Sequence, residues 1–323
     1  MSLAINAATS SGLVLAADSR QSYRNQKGMA RIGSDTASKL FQLNKRIGCA
    51  ITGIAFLPSP GGIKNISAFV DEFKRVEEVE RLDVEEMATR LYDFFNRKYN
   101  WKTALHSLKE LIKKDLENKG FQLIGDFEEK KGILEFKFTD KAGKEQRGRA
   151  GLDRIDIMVA GFNHDGSHQV FICNVPGEVS KKRDGKEGGK EFGAAWIGQI
   201  DVTSRIVLGW DARMLTLPFI QDASKNLGEE QIIKQLRGLE YQISWGTMTL
   251  QDAIDFCTLI IRTTEAIQRF SDGIAIDPGA IPGVGGDIDI AVITRDKGFV
   301  WAKKKNIIIN GEEVNLEDLP NLK

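Results

Sequence analysis

Four apolar segments near the start of the chain are joined in pairs by short polar turns. The turns are residues 9–12 and 44–46, and they are made of Ser, Thr, Gly, Asn and basic residues. Short apolar runs on either side of such a turn indicate β-hairpins. We therefore predict that the chain begins with two antiparallel hairpins, formed by residues 3–8 with 13–17 and by residues 39–43 with 47–52.

Helical patterns follow these strands and return near the end of the chain. Apolar side chains between Ile63 and Val76 recur at helical spacing, and residues 83–86 (DVEE) have the composition of a capping box before a second amphipathic segment. A third such segment begins with a capping box at residues 249–252. One-sided helices beside antiparallel strands predict an α+β protein in which helices pack on sheets. The later strands are predicted at 155–161, 169–174, 287–293 and 298–301.

Residues 100–150 interrupt this order. They contain a predicted helix, Thr103 to Lys119, followed by a hairpin around residues 140–143. We interpret 100–150 as an insertion of a helix and a β-hairpin within a single domain of residues 2–305. Residues 306–323 are then a C-terminal extension.

The composition disfavours several classes of protein. The chain has 323 residues with 45 basic and 45 acidic side chains, and this zero net charge gives no support for a nucleic-acid partner. There is no apolar run long enough for a membrane span and no charged-then-apolar leader, which predicts a cytoplasmic protein without a membrane partner. His164 and His168 flank a turn without a third ligand, so no metal site is predicted. The cysteines are scattered, which suits a reducing compartment, and they are expected to be buried: Cys49, Cys173 and Cys257.

Ser2 is the candidate for chemistry at the start of the chain. A small residue after the initiator Met favours removal of that Met, which would leave Ser2 with both a hydroxyl and a free α-amine. An α-amine has an unperturbed pKa of roughly 7.7–8.0, so it can act as a general base near neutral pH. We expect activation to need only the removal of Met1.

Ser2 is also the first member of a spaced set of residues. It lies sixteen positions before Asp18, Lys39 stands at the head of one strand, and Gly53 closes the next strand. Together with the run GLVLAADSR at residues 12–20, this spacing resembles the N-terminal half of a proteasome β-subunit. Proteasome β-subunits belong to the N-terminal-nucleophile hydrolases, and their mature chains begin with Thr.

The resemblance implies a fold and a set of roles. The fold would be a four-layer αββα sandwich of two antiparallel sheets flanked by helices. Ser2 would be the nucleophile and its own base, with Asp18 and Lys39 as charged partners. Arg20 would support that pair, and the Gly53 backbone N–H would donate to the oxyanion. Taken without the resemblance, the same residues are equally explained by a buried Asp–Lys pair and a strand-end glycine.

The resemblance also implies a substrate class and an assembly. The substrate would be a peptide or protein amide, and neither a metal nor an organic cofactor would be needed. The protein would assemble with copies of itself into rings or stacked dimers, and an ATPase or other regulatory partner is left open. Most residues of the implied substrate pocket are apolar, which favours a hydrophobic residue before the scissile bond, although ordinary core positions would look the same. The implied pocket residues are Ser22, Ala37, Phe41, Ile51 and Ala55.

The sequence departs from this family in residues that help to order the terminal amine. Val284 stands where a serine would precede two glycines, and Gln199 stands where another serine would follow a glycine. Asp272 and Asp277 are the candidate replacements for a carboxylate after the last helix. These differences favour one alternative, a catalytically inactive scaffold subunit. A second alternative is an acyl transferase or peptide ligase on the same fold, in which an amine replaces the second water.

Overall fold

The computed structural model describes residues 2–24, 29–271, 281–309 and 312–314. Its strands are β1 (Leu3–Thr9), β2 (Gly12–Asp18), β3 (Gln21–Arg24), β4 (Ala30–Ser34), β5 (Leu40–Gln42), β6 (Ile47–Gly53), β7 (Phe56–Ser59), β8 (Gly62–Asn65), β9 (Gln122–Lys130), β10 (Ile133–Thr139), β11 (Glu145–Gly151), β12 (Ile155–Phe162), β13 (His168–Val175), β14 (Val179–Asp184), β15 (Gly193–Gly198), β16 (Ile288–Thr294), β17 (Gly298–Lys303), β18 (Ile307–Ile309) and β19 (Glu312–Val314). Its α-helices are α1 (Ile66–Val76), α2 (Val84–Tyr99), α3 (Trp101–Asn118), α4 (Asp201–Leu208), α5 (Pro218–Leu227), α6 (Glu229–Leu236) and α7 (Leu250–Phe270).

Ten of these strands form two antiparallel sheets. The first sheet has the order β15-β1-β2-β16-β17, and the second has the order β14-β13-β12-β6-β5. Both hairpins predicted at the start of the chain are present, but β1 and β2 lie in the first sheet whereas β5 and β6 lie in the second. The prediction of a mixed protein with helices and antiparallel sheets is confirmed.

Three buried clusters hold the sheets and helices together. The first cluster packs β6, β12 and β13 against α1 and α2, around the fully buried Phe73 and Phe95. The second combines side chains of both large sheets, including Leu15 of β2 and Met158 of β12. The third packs the first sheet against α7. Because β1 and β2 are covered on both faces, all their residues are buried, and their sequences are mostly apolar without the alternation of a half-buried strand.

The helices begin close to the predicted positions. The predicted capping boxes are present at the starts of α2 and α7. The first helix begins at Ile66 rather than at Ile63, because the Asn65 side chain accepts a hydrogen bond from the Ser67 N–H and the preceding residues form β8. None of the helices in the described parts of the chain is both long enough and apolar enough to cross a membrane.

The insertion contains one strand more than the sequence indicated. Residues 101–151 form α3 and a three-stranded antiparallel sheet of order β11-β10-β9. The predicted hairpin around residues 140–143 is the turn between β10 and β11. β9 was not predicted, because its sequence QLIGDFEEK is largely polar and exposed and lacks the alternation of a half-buried strand.

Several strands of both sheets begin or end close together, at an edge formed by strand ends. The candidate catalytic residues lie at this edge. In the first sheet, Leu3 at the start of β1 is opposite Gly198 at the end of β15, and β16 begins opposite Asp18 at the end of β2. In the second sheet, Ile155 at the start of β12 is opposite Gly53 at the end of β6. Strand pairing thus collects residues that are far apart in the sequence.

Candidate active site

The Asp18 carboxylate is the centre of the hydrogen bonding at this edge. Its Oδ1 accepts from Lys39 Nζ over 2.8 Å and from the Leu3 N–H over 2.9 Å. Its Oδ2 accepts from the Gly285 N–H over 3.0 Å and from the Arg20 N–H over 3.1 Å. A carboxylate offers about four acceptor positions, so these donors fix the orientation of Asp18.

Lys39 lies beside this carboxylate in a buried position. Burial lowers the pKa of Lys39 below its ordinary value, and the attraction of Asp18, which acts in the opposite direction, does not offset that effect. The positive charges of Lys305 and Arg20 lower this pKa further. The Lys39 Nζ also donates to the Arg20 carbonyl oxygen. Lys39 is therefore held in one place and releases its proton more readily than an exposed lysine.

Arg20 supports the pair through its backbone. Its N–H donates to Asp18, and its carbonyl oxygen accepts from Lys39. The guanidinium group instead binds Asp35, with its Nε 2.7 Å and its Nη2 3.2 Å from the two carboxylate oxygens. The hydrogen bonds to Asp35 raise the pKa of Arg20 above its ordinary value.

Ser2 is buried directly beside this group of residues. Only 6% of its surface is exposed, and its carbonyl oxygen accepts a 2.7 Å hydrogen bond from the Gln199 N–H. The next peptide N–H, that of Leu3, is the one that binds Asp18. Ser2 and Lys39 both line a narrow cavity, and Gly53 is part of the same wall. The structure therefore brings together the residues that the sequence analysis grouped by spacing.

Two glycines allow the strand ends to approach each other closely. Gly53 has φ of 90° and Gly198 has φ of 91°, a conformation that favours glycine. A β-carbon at Gly53 would collide with the Arg154 carbonyl oxygen, and one at Gly198 would collide with the Ser2 carbonyl oxygen. Gly198 thus fixes the approach of β15 to the start of the chain.

The five residues of the implied substrate pocket lie in two different places. Four of its five residues line the narrow cavity with Ser2; they are Ser22, Ala37, Ile51 and Ala55. Phe41 instead packs against the first buried cluster, where it lies opposite Cys49 on β6. The narrow cavity adjoins a larger cleft of about 720 Å³, which Ser2, Ser22, Gly53 and Ala55 also line. Arg154 and Asp156, which follow the insertion, form part of the wall of that cleft.

Two polar residues near Ser2 were not predicted from the sequence. Gln268 is buried on α7 and donates its Nε2 to Gln199 Oε1. The signal was present, because Gln268 follows Ile261 and Thr264 at the helical spacing of the inward-facing side of α7. Thr52 is also buried in the cavity wall, and its hydroxyl has no hydrogen-bond partner among the described residues.

The structure does not describe the two residues that were expected to replace the family's carboxylate after the last helix. Asp272 and Asp277 lie outside the described residues. Val284 is fully buried in the third cluster, where it packs with the first sheet and α7. Within the described parts of the chain, no group of three His, Cys, Asp or Glu side chains is arranged to hold a metal ion.

Two comparisons with known proteins bear on the family of this chain. No protein-family model matches it, and no curated protein matches its sequence. Its function is therefore inferred from the geometry of the site and from the spacing of the residues that form it.

Proposed function

We propose that this chain is a proteasome-like N-terminal-nucleophile peptidase or amidohydrolase whose nucleophile is Ser2, exposed by removal of Met1. The observation that carries the proposal is the buried Lys39–Asp18 pair: Asp18 accepts from the Leu3 N–H, and Lys39 lies in the wall of the cavity that Ser2 lines. A buried ion pair is costly unless it is fully hydrogen-bonded, and this one is placed where a terminal nucleophile would need a fixed cation.

The arrangement of the core supports the same proposal. One buried cluster lies between the two large sheets, and the two others pack each sheet against helices. We propose that these layers form a four-layer αββα sandwich, the fold of N-terminal-nucleophile hydrolases. Fold similarity does not by itself determine chemistry, so the proposed activity depends on the site.

In the proposed reaction, the Ser2 hydroxyl oxygen attacks the carbonyl carbon of an amide. The hydroxyl proton passes through a water to the Ser2 amine and then to the leaving nitrogen as the C–N bond breaks. The acyl group remains on Ser2 as an ester. A second water then hydrolyses this ester, which releases the acid and restores the hydroxyl.

The surrounding groups favour the charged states of this reaction. The positive charge of Lys39 favours negative charge on the Ser2 oxygen and disfavours protonation of the neighbouring amine. The Gly53 N–H is the proposed donor to the oxyanion, and such a donor is worth roughly 3–4 kcal/mol of transition-state stabilisation. The apolar cavity walls at Ala37, Ile51 and Ala55 favour substrates with a hydrophobic residue before the scissile bond.

The proposal includes self-assembly in the cytoplasm into a ring or stacked complex. Light scattering coupled to gel filtration of the untagged protein would measure the mass of the assembly. A mass equal to one chain of 35.9 kDa at every concentration would contradict this part of the proposal.

Hydrolysis of capped peptide amides tests the activity. We expect the wild-type chain to cleave amides after Leu or Phe faster than amides after Asp or Lys, and Ser2→Ala to cleave none. Ser11→Ala, in the exposed turn between β1 and β2, is the matched control and should behave as the wild type. Adding a second peptide with a free amine distinguishes a ligase, because a joined product in place of the free acid identifies acyl transfer. No turnover of either kind would favour an inactive scaffold.

A further inference from the structure

We infer that Gln268 and Gln199 form a neutral positioning pair that holds the nucleophile in its reactive geometry. This inference rests on the proposed function and adds to it two residues with a defined role. Both act through the backbone of Ser2 and of the segment that binds Asp18, and neither is assigned a direct part in the chemistry.

The pair is anchored on Ser2 at one end. The Gln199 N–H donates to the Ser2 carbonyl oxygen over 2.7 Å, and Gln199 Oε1 accepts from Gln268 Nε2. Gln199 also comes directly after Gly198, where any β-carbon would strike that same carbonyl oxygen. A displaced Gln199 would therefore displace the residue that carries the nucleophile.

The pair is anchored on a loop backbone at its other end. Gln268 Oε1 accepts from the N–H groups of Gly283 and Val284, each over 2.9 Å. The next residue, Gly285, donates its own N–H to Asp18 Oδ2 over 3.0 Å. One side chain on α7 thereby connects Gln199, which binds Ser2, with the loop that binds Asp18.

The neutrality of the pair has a chemical consequence. Gln268 is only 5% exposed, and its amide uses both a donor and an acceptor in these bonds. An amide does not titrate, so the link is unchanged over the pH range in which an α-amine gains or loses its proton. A carboxylate in this place would add a buried negative charge, which favours the protonated amine and weakens it as a base.

The test is the rate of Ser2 acylation by a β-lactone, measured from about pH 5.5 to 9, across the ordinary pKa of an α-amine. Gln268→Glu keeps the size of the side chain, and we expect it to move the rise in rate upward by about one pH unit. Gln268→Ala leaves two N–H groups without their acceptor, and we expect its maximal rate to fall about 10-fold or more without a shift along the pH axis. Gln251→Glu, on the exposed side of α7, should match the wild type at every pH.

The outcomes separate this inference from the proposed function. Wild-type labelling with unchanged rates and pH dependence in both Gln268 variants would overturn the inference alone. Circular dichroism establishes that each variant is folded, and Gln268→Glu decides the matter if Gln268→Ala does not fold. A wild-type chain that is never labelled would overturn the proposed function and this inference together.

Discussion

Lys39 Nζ lies 2.8 Å from Asp18 Oδ1, and the two side chains are only 7% and 0% exposed. Removing two charges from water is expensive, so such a pair is stable only when further hydrogen bonds satisfy it. Here the N–H groups of Leu3 and Gly285 supply two of those bonds. The pair therefore links the first strand of the chain to the loop before β16, and its Lys39 lines the same cavity as Ser2.

Substitutions that break the Lys39–Asp18 pair should lower the free energy of unfolding and should also abolish Ser2 acylation. We expect Asp18→Asn or Lys39→Met to lower the free energy of unfolding by about 3–5 kcal/mol, because each leaves one buried group without its partner. The double variant should lose much less than the sum of the two, since neither charge is then left alone. Urea unfolding measures this, and additive losses would contradict the coupling. The folded double variant should still fail to acylate at Ser2.

We expect Gly198 to be essential for Ser2 acylation, because it lies against the Ser2 carbonyl oxygen. Gly198→Ala places a β-carbon against the Ser2 carbonyl oxygen, and we expect a fall in Ser2 acylation of about 100-fold. Gly189→Ala is the matched control, because Gly189 has a similar φ of 80° but open space around its missing side chain. Backbone strain alone would affect both variants equally. Equal acylation rates in the two variants would show that the contact with Ser2 is unimportant.

The narrow cavity should determine which substrates are cleaved. Ala37→Phe fills part of this cavity, so we expect kcat/KM to fall about 10-fold or more for amides after Leu or Phe and much less for amides after Ala. Ala142→Phe, in the exposed turn after β10, adds the same volume elsewhere and should change neither. A uniform loss over all substrates in Ala37→Phe would argue against a specificity pocket at this site.

Asp211 should make stability depend on pH in the acid range. Hydrogen bonds from Arg213 lower the pKa of Asp211 to about 2, below its unfolded value, so its contribution is complete above about pH 4 and is lost as the pH falls towards 2. We expect Asp211→Asn to reduce the free energy of unfolding by about 1–2 kcal/mol at pH 7 and by nearly nothing at pH 2. Asp126→Asn, an exposed position on β9, should show no such pH-dependent difference. Urea unfolding at the two pH values measures it, and an equal loss at both would contradict the assignment.

Local sequence signals were enough to predict the hairpins and the capped helices, because each depends on residues close together in the chain. They were not enough to show that β2 pairs with β16 and β6 with β12, which separates the two initial hairpins into different sheets. Such pairings depend on which buried faces fit together over long distances in sequence. β9 was missed for a different reason, since a polar, exposed strand carries no hydrophobic pattern.

The candidate site was predictable to the extent that it lies at strand ends with a fixed spacing. That spacing indicated Ser2, Asp18, Lys39 and Gly53, and the structure places them at one edge. The contact of Gln268 with Gln199 could not be read in the same way, because 69 positions separate the two residues. The available signal was Gln268 itself, a polar residue on the inward-facing side of α7.

The proposed function depends on Ser2 as a working N-terminal nucleophile. The most direct test is the intact mass of untagged protein before and after incubation with a β-lactone that acylates N-terminal Ser or Thr, with Ser2→Ala as the control. We expect loss of Met1 followed by one adduct that depends on Ser2. Retention of Met1, or a free Ser2 that never acquires the adduct, would contradict it.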